Sequence, residues 1–561
     1  MAFRTNENQQ MSIGDNLYNL SDRGMRVLKG SWAEGFANHI FPNLPEEPFS
    51  VLYSDNDASK PNVPINIILG LFMLKEQFDL TDEEMVHQLM FNIQFQYALH
   101  TTSFAEQPVN DNTFRRFRNK VSEYYEQTGV DLVKEAFKGL RDKISGKMGL
   151  DPSLKRVDSL MISAGCLRLS RLNLMHETLR LAARDLARGG KATDESRKYE
   201  DDGSHADIGY KLKREEVLAK MDEMLQDALA LIERYPEALR GSEAFANLRR
   251  MVEDQSKMTD DGRVLKEGKE ISPESMQTPH DPEATYRKKA GKGNIGYVAN
   301  IEESCDGDKR LVTDYDLQNN TYSDAKFAED MVEAMPDSES GSRKVIMDGA
   351  YATAELVDKA AEKNIEIVTT SLIGGMQGTF EAEFEIDEES RTITRCPAGH
   401  EPIDCKYSDA KGGYRAHFDK QTCMDCPHCE RCPGVFQKKT ALIRFSDTAR
   451  KRAQYAQKVG TDEYKKLAKF RNGIEGVQSV LRRKYCIDQA RDKGVVRKRQ
   501  RLGFKLMAMN AGRLIKWQGK ADKDDGGGAA SPQHFPFFCF MPIFALANSG
   551  AGCIWGLKTA V

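Results

Sequence analysis

Residues 296–370 constrain the fold more than any other stretch, because strand-like and helical runs alternate there. Runs over 296–301, 310–315, 343–348 and 365–370 read as strands, and runs over 323–335 and 353–363 read as helices. An earlier strand over 153–166 carries Val157, Leu160 and Ile162. It is cut off from the others by a charged helical stretch over about 171–255 and a polar, loop-like stretch over 256–284. Strand, strand, strand, helix, strand, helix, strand is the order of an α/β sheet with an insertion after its first strand. Functional side chains of open α/β sheets collect at strand ends, and Asp158 and Asp348 both fall there.

A third acidic residue has a different setting. Glu475 lies in a run over 469–489 that reads as one basic amphipathic helix. At about 100° per residue, Arg471, Gln478, Ser479 and Arg482 fall within about 60° of Glu475. Ile474, Val477, Leu481 and Tyr485 form an apolar stripe to one side. The helix is therefore expected to dock on a core and to offer a carboxylate between two arginines, a surface able to hold a metal ion and clamp phosphates. Taken alone, Glu475 is better accounted for by a salt-bridged structural helix. Gly473 and Gly476 flank the glutamate although each costs about 1 kcal/mol in a helix; a close approach by backbone or ligand would explain them. Asp158, Asp348 and Glu475 are separated by 190 and 127 residues, so only a fold can bring them together. If they converge, they form an oxygen-lined site for hard divalent ions, of the kind used in phosphodiester chemistry.

At 561 residues the chain exceeds a single core. Its net charge of −4 excludes a uniformly basic nucleic-acid binder. The average conceals residues 465–520, where nine lysines and eight arginines face only Glu475, Asp488 and Asp492. That surplus suits a polyphosphate partner or, more plainly, a solvated basic face. Six of the eleven cysteines crowd into 396–432, which points to metal ligands in a reducing compartment rather than a disulfide framework. Residues 1–7 are polar and lead into no apolar core, so a cytoplasmic, DNA-associated protein is expected.

Residues 61–145 read as helical, with a capping box from Thr81 to Glu84. A helix beginning near Asn112 places Phe114, Phe117, Val121 and Tyr124 on one side, with Arg115, Arg116, Arg118 and Lys120 mainly on the others. Such a helix enters a DNA groove or lies as an ordinary surface helix, and the sequence leaves both open.

Together these patches resemble the DDE transposases of bacterial insertion sequences, over about residues 40–520. The Pro-Ile-Asn-Ile-Ile-Leu-Gly run at 64–70 and the Asp-Asn-Thr-Phe-Arg-Arg-Phe-Arg run at 111–118 are similar to the family's N-terminal domain. Asp158 takes the first catalytic position, Asp348 in Asp-Gly-Ala-Tyr the second, and Glu475 in Arg471-x3-Glu475-x6-Arg482 the third. The family signature often has a tyrosine before the arginine and a lysine at its end. Ala468 and Arg482 stand there instead, so the tyrosine's role is unfilled or moved, and arginine alters the phosphate geometry.

The resemblance implies an α/β fold: an RNase H-like mixed sheet flanked by helices, with an all-α N-terminal domain, a long helical insertion and a small cysteine-rich insertion. The implied division is a DNA-binding domain over 1–150, the first part of the catalytic domain over 151–373 with its insertion at about 171–255, a zinc-binding insertion over 374–440, the remainder of the catalytic domain over 441–520, and a linker with an apolar tail over 521–561. It implies a DNA transposase that binds terminal inverted repeats as a homo-oligomer, acting on the double-stranded DNA of transposon ends and target, with no membrane. Asp158, Asp348 and Glu475 would hold two Mg²⁺ (or Mn²⁺) ions, one activating the attacking water and the other stabilising the leaving 3′ oxygen; the freed 3′-OH would then attack target DNA. Arg471 and Arg482 are assigned to phosphates, and Arg115, Arg116 and Arg118 to DNA. A DNA-binding derivative without chemistry and a nuclease that cuts without joining are the alternatives. The intact acidic trio speaks against the first, whereas the second shares every residue.

Cys396-Pro-Ala-Gly-His400 precedes Cys405, followed by Cys423-x2-Cys426-x2-Cys429-x2-Cys432. A structural Zn²⁺ takes four thiolate or imidazole ligands. Cys396, Cys423, Cys426 and Cys432 are expected, with Cys405, Cys429, His400 and His428 as competitors. A ferredoxin-type cluster is the alternative, although the last spacing is two rather than three; unliganded thiols are the plain one. Tyr351 could stack on a displaced base, but packing beneath the site is expected. His176, His205 and His280 receive no role. Residues 526–532 read as a flexible linker. Residues 535–557 carry no charge and are long enough to cross a bilayer. Pro536, Pro542 and the glycines make a poor helix, so an appended extension is expected.

Overall fold

The structure, a computed structural model, describes residues 1–6, 16–101 except 55 and 57, 107, 109–166, 168–200, 212–336 except 261 and 290, 343–374, 378–489 and 492–524. His205, the linker and the apolar tail lie outside the described residues.

The N-terminal region is a bundle containing α1 (Asp22–Lys29), α2 (Ile65–Phe78), α3 (Asp82–Phe91), α4 (Asp111–Thr128) and α5 (Leu132–Met148). Thr81 and Glu84 close the expected capping box. Apart from its last residue, every side chain of α2 is buried, so it forms the bundle's centre. α4 buries Phe114, Phe117 and Val121 as its periodicity requires. Of its cations, Arg118 is held by Asp82 at 3.1 Å, and Lys120 donates to the Leu52 carbonyl at 3.1 Å. Arg115 and Arg116 face solvent.

β1 (Leu154–Ser163) leads into the insertion, where α6 (Arg171–Arg188), α7 (Arg214–Arg234) and α8 (Glu243–Gln255) pack around a core of their own that includes Met175, Leu225 and Phe245. The polar stretch that follows is not wholly a loop. It contains a hairpin of β2 (Ser256–Thr259) and β3 (Gly262–Leu265), strands too short and exposed to leave an alternating apolar pattern.

The central sheet is completed by β4 (Thr285–Lys289), β5 (Lys292–Asp306), β6 (Lys309–Asn319), α9 (Asp324–Ala334), β7 (Arg343–Ile346), α10 (Ala354–Glu362) and β8 (Ile365–Val368). Its order is β6–β5–β1–β7–β8, with β4 pairing the start of β5. β5 runs antiparallel to β1, β4 and β6, while β1, β7 and β8 run parallel. Alternate residues face opposite layers. Leu160, Ile162, Tyr297 and Ala299 join the core shared with the N-terminal bundle, and Val157 and Val298 join Phe327, Val332 and Leu356 on the other side.

The cysteine-rich segment folds into a β9–β10 pair (Glu385–Asp387, Thr392–Arg395) and a four-stranded sheet ordered β11–β12–β14–β13 (Asp404–Ser408, Gly413–Asp419, Thr440–Ser446, Val435–Phe436). Phe384, Tyr414, Phe418 and Phe445 form its core.

The chain closes with α11 (Asp447–Val459), α12 (Asp462–Phe470), α13 (Glu475–Arg483) and α14 (Val495–Asp524). This corrects the single helix expected over 469–489. α12 stops at Phe470, residues Arg471–Ile474 make a 3-10 turn, and α13 starts at Glu475. The break has a physical cause: the Phe470 carbonyl accepts a hydrogen bond from Arg156 of β1, 3.0 Å away. The expected apolar stripe is real, since Ile474, Val477, Leu481 and Tyr485 are all buried.

The basic surplus also proves different from expectation, because much of it turns inward. On α14, Lys505 pairs with Glu76, Arg501 lies 3.2 Å from Glu76 and 2.7 Å from Asp492, Arg499 reaches Asp316 at 3.4 Å, and Arg513 reaches Glu303 at 2.7 Å. These cations neutralise carboxylates within the fold and so are not available to a polyphosphate. Among the described residues, no helix is long and apolar enough to cross a membrane.

Candidate active site

β1 and β7 are paired in parallel only from Leu154–Lys344 to Arg156–Ile346, where β7 ends while β1 continues to Ser163. Two residues beyond the last pair stand Asp158 on one strand and Asp348 on the other. The two aspartates separated by 190 residues are thereby brought level on neighbouring strands, at the point where the sheet changes from antiparallel to parallel order.

Asp158 is half-buried. Its Oδ1 accepts from the Ser159 amide at 2.9 Å, and its Oδ2 accepts from Gln478 Nε2 at 2.9 Å with Arg471 Nη1 at 3.5 Å. Burial pushes its pKa up; Arg471, the Ser159 amide and Lys289 pull it back, and the charge of Asp348 adds to the rise. Asp348 is exposed and accepts from the Gly349 amide at 2.7 Å. A side chain at Gly349 would collide with Ser371, so glycine lets the loops after β7 and β8 close together. The β8 end is fixed by Tyr455 and Tyr464, whose hydroxyls each donate to the Ile367 carbonyl at 3.1 Å and both meet the Thr369 amide. Tyr351 packs beneath the site as expected. It is buried, and its hydroxyl donates to Asn300 Oδ1 at 3.0 Å, with its pKa driven well above the usual range by burial.

Glu475 opens α13 and is exposed, one turn before the Gln478 amide that touches Asp158. Of the expected arc of Arg471, Gln478, Ser479 and Arg482 around Glu475, Gln478 and Arg482 reach β1, as does Arg471 from the preceding turn, while the Glu475 side chain itself has no hydrogen bond or ion pair among the described residues. Arg482 donates to the Met161 carbonyl at 3.1 Å and lies 3.3 Å from Asp488. Arg156 was not singled out from the sequence. Buried beneath the site, it donates through Nε to Glu303 at 2.6 Å and through Nη1 to Phe470, and stacks 5.1 Å from the Phe470 ring. The signal available beforehand was an arginine in an otherwise apolar strand and a glycine where a helix was expected. Gly473 is that glycine, and its close neighbour is the Arg156 guanidinium. Gly476 has no atom within 4 Å of where its Cβ would stand, so close approach does not explain it.

The donor set suits a hard divalent cation: carboxylate oxygens from the middle of β1 and from just past the end of β7, with Asp348 repelling the charge that Asp158 must carry. Among the described residues, however, no group of three or more His, Cys, Asp or Glu side chains is arranged to hold a metal ion.

That statement covers the cysteines too. Cys396, Cys423, Cys426, Cys429 and Cys432 line one cavity with His400 and His428. A tight turn at 396–400 is closed by the Gly399 amide donating to the Cys396 carbonyl at 2.7 Å. Burial and then the neighbouring Cys432, Cys396 and Cys426 push the Cys423 thiol up to about 11. Cys405 instead accepts from the Ile393 amide at 3.3 Å.

Comparison with known families adds an independent observation. The family described as "Transposase DDE domain" matches in two models, over residues 274–398 and 395–515, and "Transposase domain (DUF772)" matches residues 34–120. The matched segments contain Asp348 and Glu475 and the N-terminal arginines. The chain belongs to the DDE transposases of insertion sequences. The β6–β5–β1–β7–β8 sheet of this transposase is its RNase H-like core. Asp158 lies outside the matched segments, so its place beside Asp348 rests on the sheet itself. Transposases of this family act on DNA and use divalent metal, typically Mg²⁺. Comparisons with curated proteins and with solved structures found no match.

Proposed function

We propose that this transposase binds the terminal inverted repeats of its insertion sequence and carries out two-metal strand cleavage and strand transfer, with Asp158, Asp348 and Glu475 as its acidic trio. The observation that carries this reading is the level placement of Asp158 and Asp348 just past the last β1–β7 pair, with Asp158 gripped by Arg471 and Gln478 from the segment that carries Glu475; Asp158 stands midway along β1 rather than at the strand end expected from the sequence. The three carboxylates would hold two Mg²⁺ or Mn²⁺ ions, which when bound supply Lewis acidity and a water of lowered pKa. Arg471 and Arg482 flank Glu475 and would meet phosphate oxygens with the guanidinium donors left over from Asp158, and from Asp488 and the Met161 carbonyl. Tyr351, Ser371 and the two hydroxyls at the end of β8 keep the Asp348 loop in register.

In the same reading, residues 1–150 form the DNA-binding domain, 151–373 and 441–520 the catalytic domain, and 374–440 the cysteine-rich insertion. Arg115 and Arg116 meet DNA from the exposed side of α4. Arg118, engaged by Asp82, supports the bundle instead. The transposase works as a homo-oligomer in the cytoplasm on double-stranded transposon ends and target DNA. Cys396, Cys423, Cys426 and Cys432 would hold a structural Zn²⁺. Their shared cavity supports this, and metal analysis of the purified full chain tests it, with no bound zinc as the contrary result.

The deciding experiment supplies labelled element ends with Mg²⁺. Joined products are expected. Cleavage without joining would make the protein a nuclease, and binding alone would make it a DNA-binding derivative.

A further inference from the structure

A cleft of about 850 Å³ opens next to Asp158 and runs along the outer half of β1. Its floor is residues 159–163, which have lost β7 as a partner. Alternate backbone groups of that edge are held from one wall: Gln478 donates to the Ser159 carbonyl at 3.3 Å, Arg482 to the Met161 carbonyl at 3.1 Å, and the Ser163 amide donates to Asp488 at 3.1 Å. The floor is thus rigid and sealed against a further strand.

The opposite wall is the β4–β5 hairpin, with Lys289 and Lys292, and Arg168 also lines the cleft. All three cations are exposed, and none has an ion pair among the described residues. The acidic side chain lining this cleft, Asp488, is already matched by Arg482. Lysines commonly protect edge strands from pairing, and that use would account for one of them. It does not account for their placement: Lys289 and Lys292 are direct cross-strand partners, and like charges facing each other across a ladder are destabilising. A polyanion laid between them and β1 removes that repulsion.

From Asp158 to Ser163 the strand advances about 17 Å, at roughly 3.3 Å per residue. Successive phosphates along a B-form backbone lie about twice the 3.4 Å axial rise apart, so the cleft spans about three phosphates. We propose that this cleft takes the sugar–phosphate backbone of the duplex on one side of the scissile phosphate, with Lys289, Lys292 and Arg168 as its phosphate contacts. The proposal rests on the reading that Asp158 marks the scissile position, and it adds a defined length and path for the flanking DNA.

The test measures binding of the full chain, without divalent metal, to duplexes carrying one element end. The duplexes are shortened nucleotide by nucleotide on either side of the cleavage position. Wild-type affinity is expected to fall as one side drops below about three nucleotides. The K289E/K292E variant is expected to bind the full duplex about tenfold more weakly, with a salt slope shallower by about 2. It should be indifferent to the same truncations, and K289R/K292R should behave as wild type. Wild-type affinity for the full duplex in K289E/K292E, or the same truncation profile as wild type, would overturn the proposal. The D158N variant separates the two readings. Cleavage by D158N would remove the assignment of the site itself. An inactive D158N alongside a K289E/K292E variant that binds like wild type would remove only the cleft.

Discussion

The guanidinium of Arg156 occupies the space a side chain at Gly473 would need: a Cβ built there would lie 2.8 Å from Arg156 Cζ. This contact joins the strand that carries Asp158 to the turn that delivers Glu475. Arg156 in turn is fixed by Glu303, which is fully buried and also held by Arg513 of α14. The two halves of the proposed acidic site, 317 residues apart from Asp158 to Glu475, therefore share one buried charge network.

Gly473→Ala is expected to displace Arg156 from the Phe470 carbonyl and to cost about 3 kcal/mol, as breaking a buried ion pair does. Cleavage should fall with it. Gly476→Ala meets no neighbour and gains about 1 kcal/mol of helix propensity. Urea unfolding of the two variants should give shifts of opposite sign. Equal shifts would mean that the Arg156 contact does not decide what residue 473 can be.

Glu76 of α2 holds α14 in place. Burial alone would raise its carboxyl, but Lys505, Arg501 and Lys75 together lower it to about 2. A carboxyl depressed on folding stabilises the protein above its unfolded pKa of about 4.3, and that contribution disappears as pH falls from there towards 2. Thermal unfolding between pH 5 and 2 should show Tm dropping more steeply in the wild type than in E76Q, which has already lost the charge.

Tyr351→Phe removes a buried hydrogen bond to Asn300 and should cost about 1 kcal/mol while leaving DNA affinity unchanged. A loss of DNA affinity without loss of stability would instead indicate that the hydroxyl serves DNA contact rather than packing.

The arginines of α4 separate by environment. Arg116→Ala is expected to weaken DNA binding and reduce the salt slope by about 1 with little change in stability. Arg118→Ala should lower stability by about 1 kcal/mol through loss of its Asp82 pair, leaving the salt slope as it was. Anisotropy titrations over a salt series and urea curves on both variants check this.

The strands that build the sheet were legible because β5, β6, β7 and β8 are apolar and separated by a helix or a turn. The level placement of Asp158 and Asp348 was not, since it depends on parallel pairing between strands that nothing local connects. The helix over 469–489 was misread for a related reason: its composition favours continuity, whereas the break comes from Arg156, a donor 314 residues from the carbonyl it takes. The same holds for α14. Lys505 and Arg501 read as a basic surface until Glu76 is placed against them. The strands of the cysteine-rich segment and β2–β3 were hidden by their shortness and polarity.

The most direct test of the central claim is single-turnover cleavage of a bound element end by D158N, D348N and E475Q in Mg²⁺. Each is expected to lose activity by about a thousandfold or more while retaining DNA affinity. Near wild-type cleavage by any one of the three, at full DNA occupancy, would contradict the assignment of that carboxylate to the site.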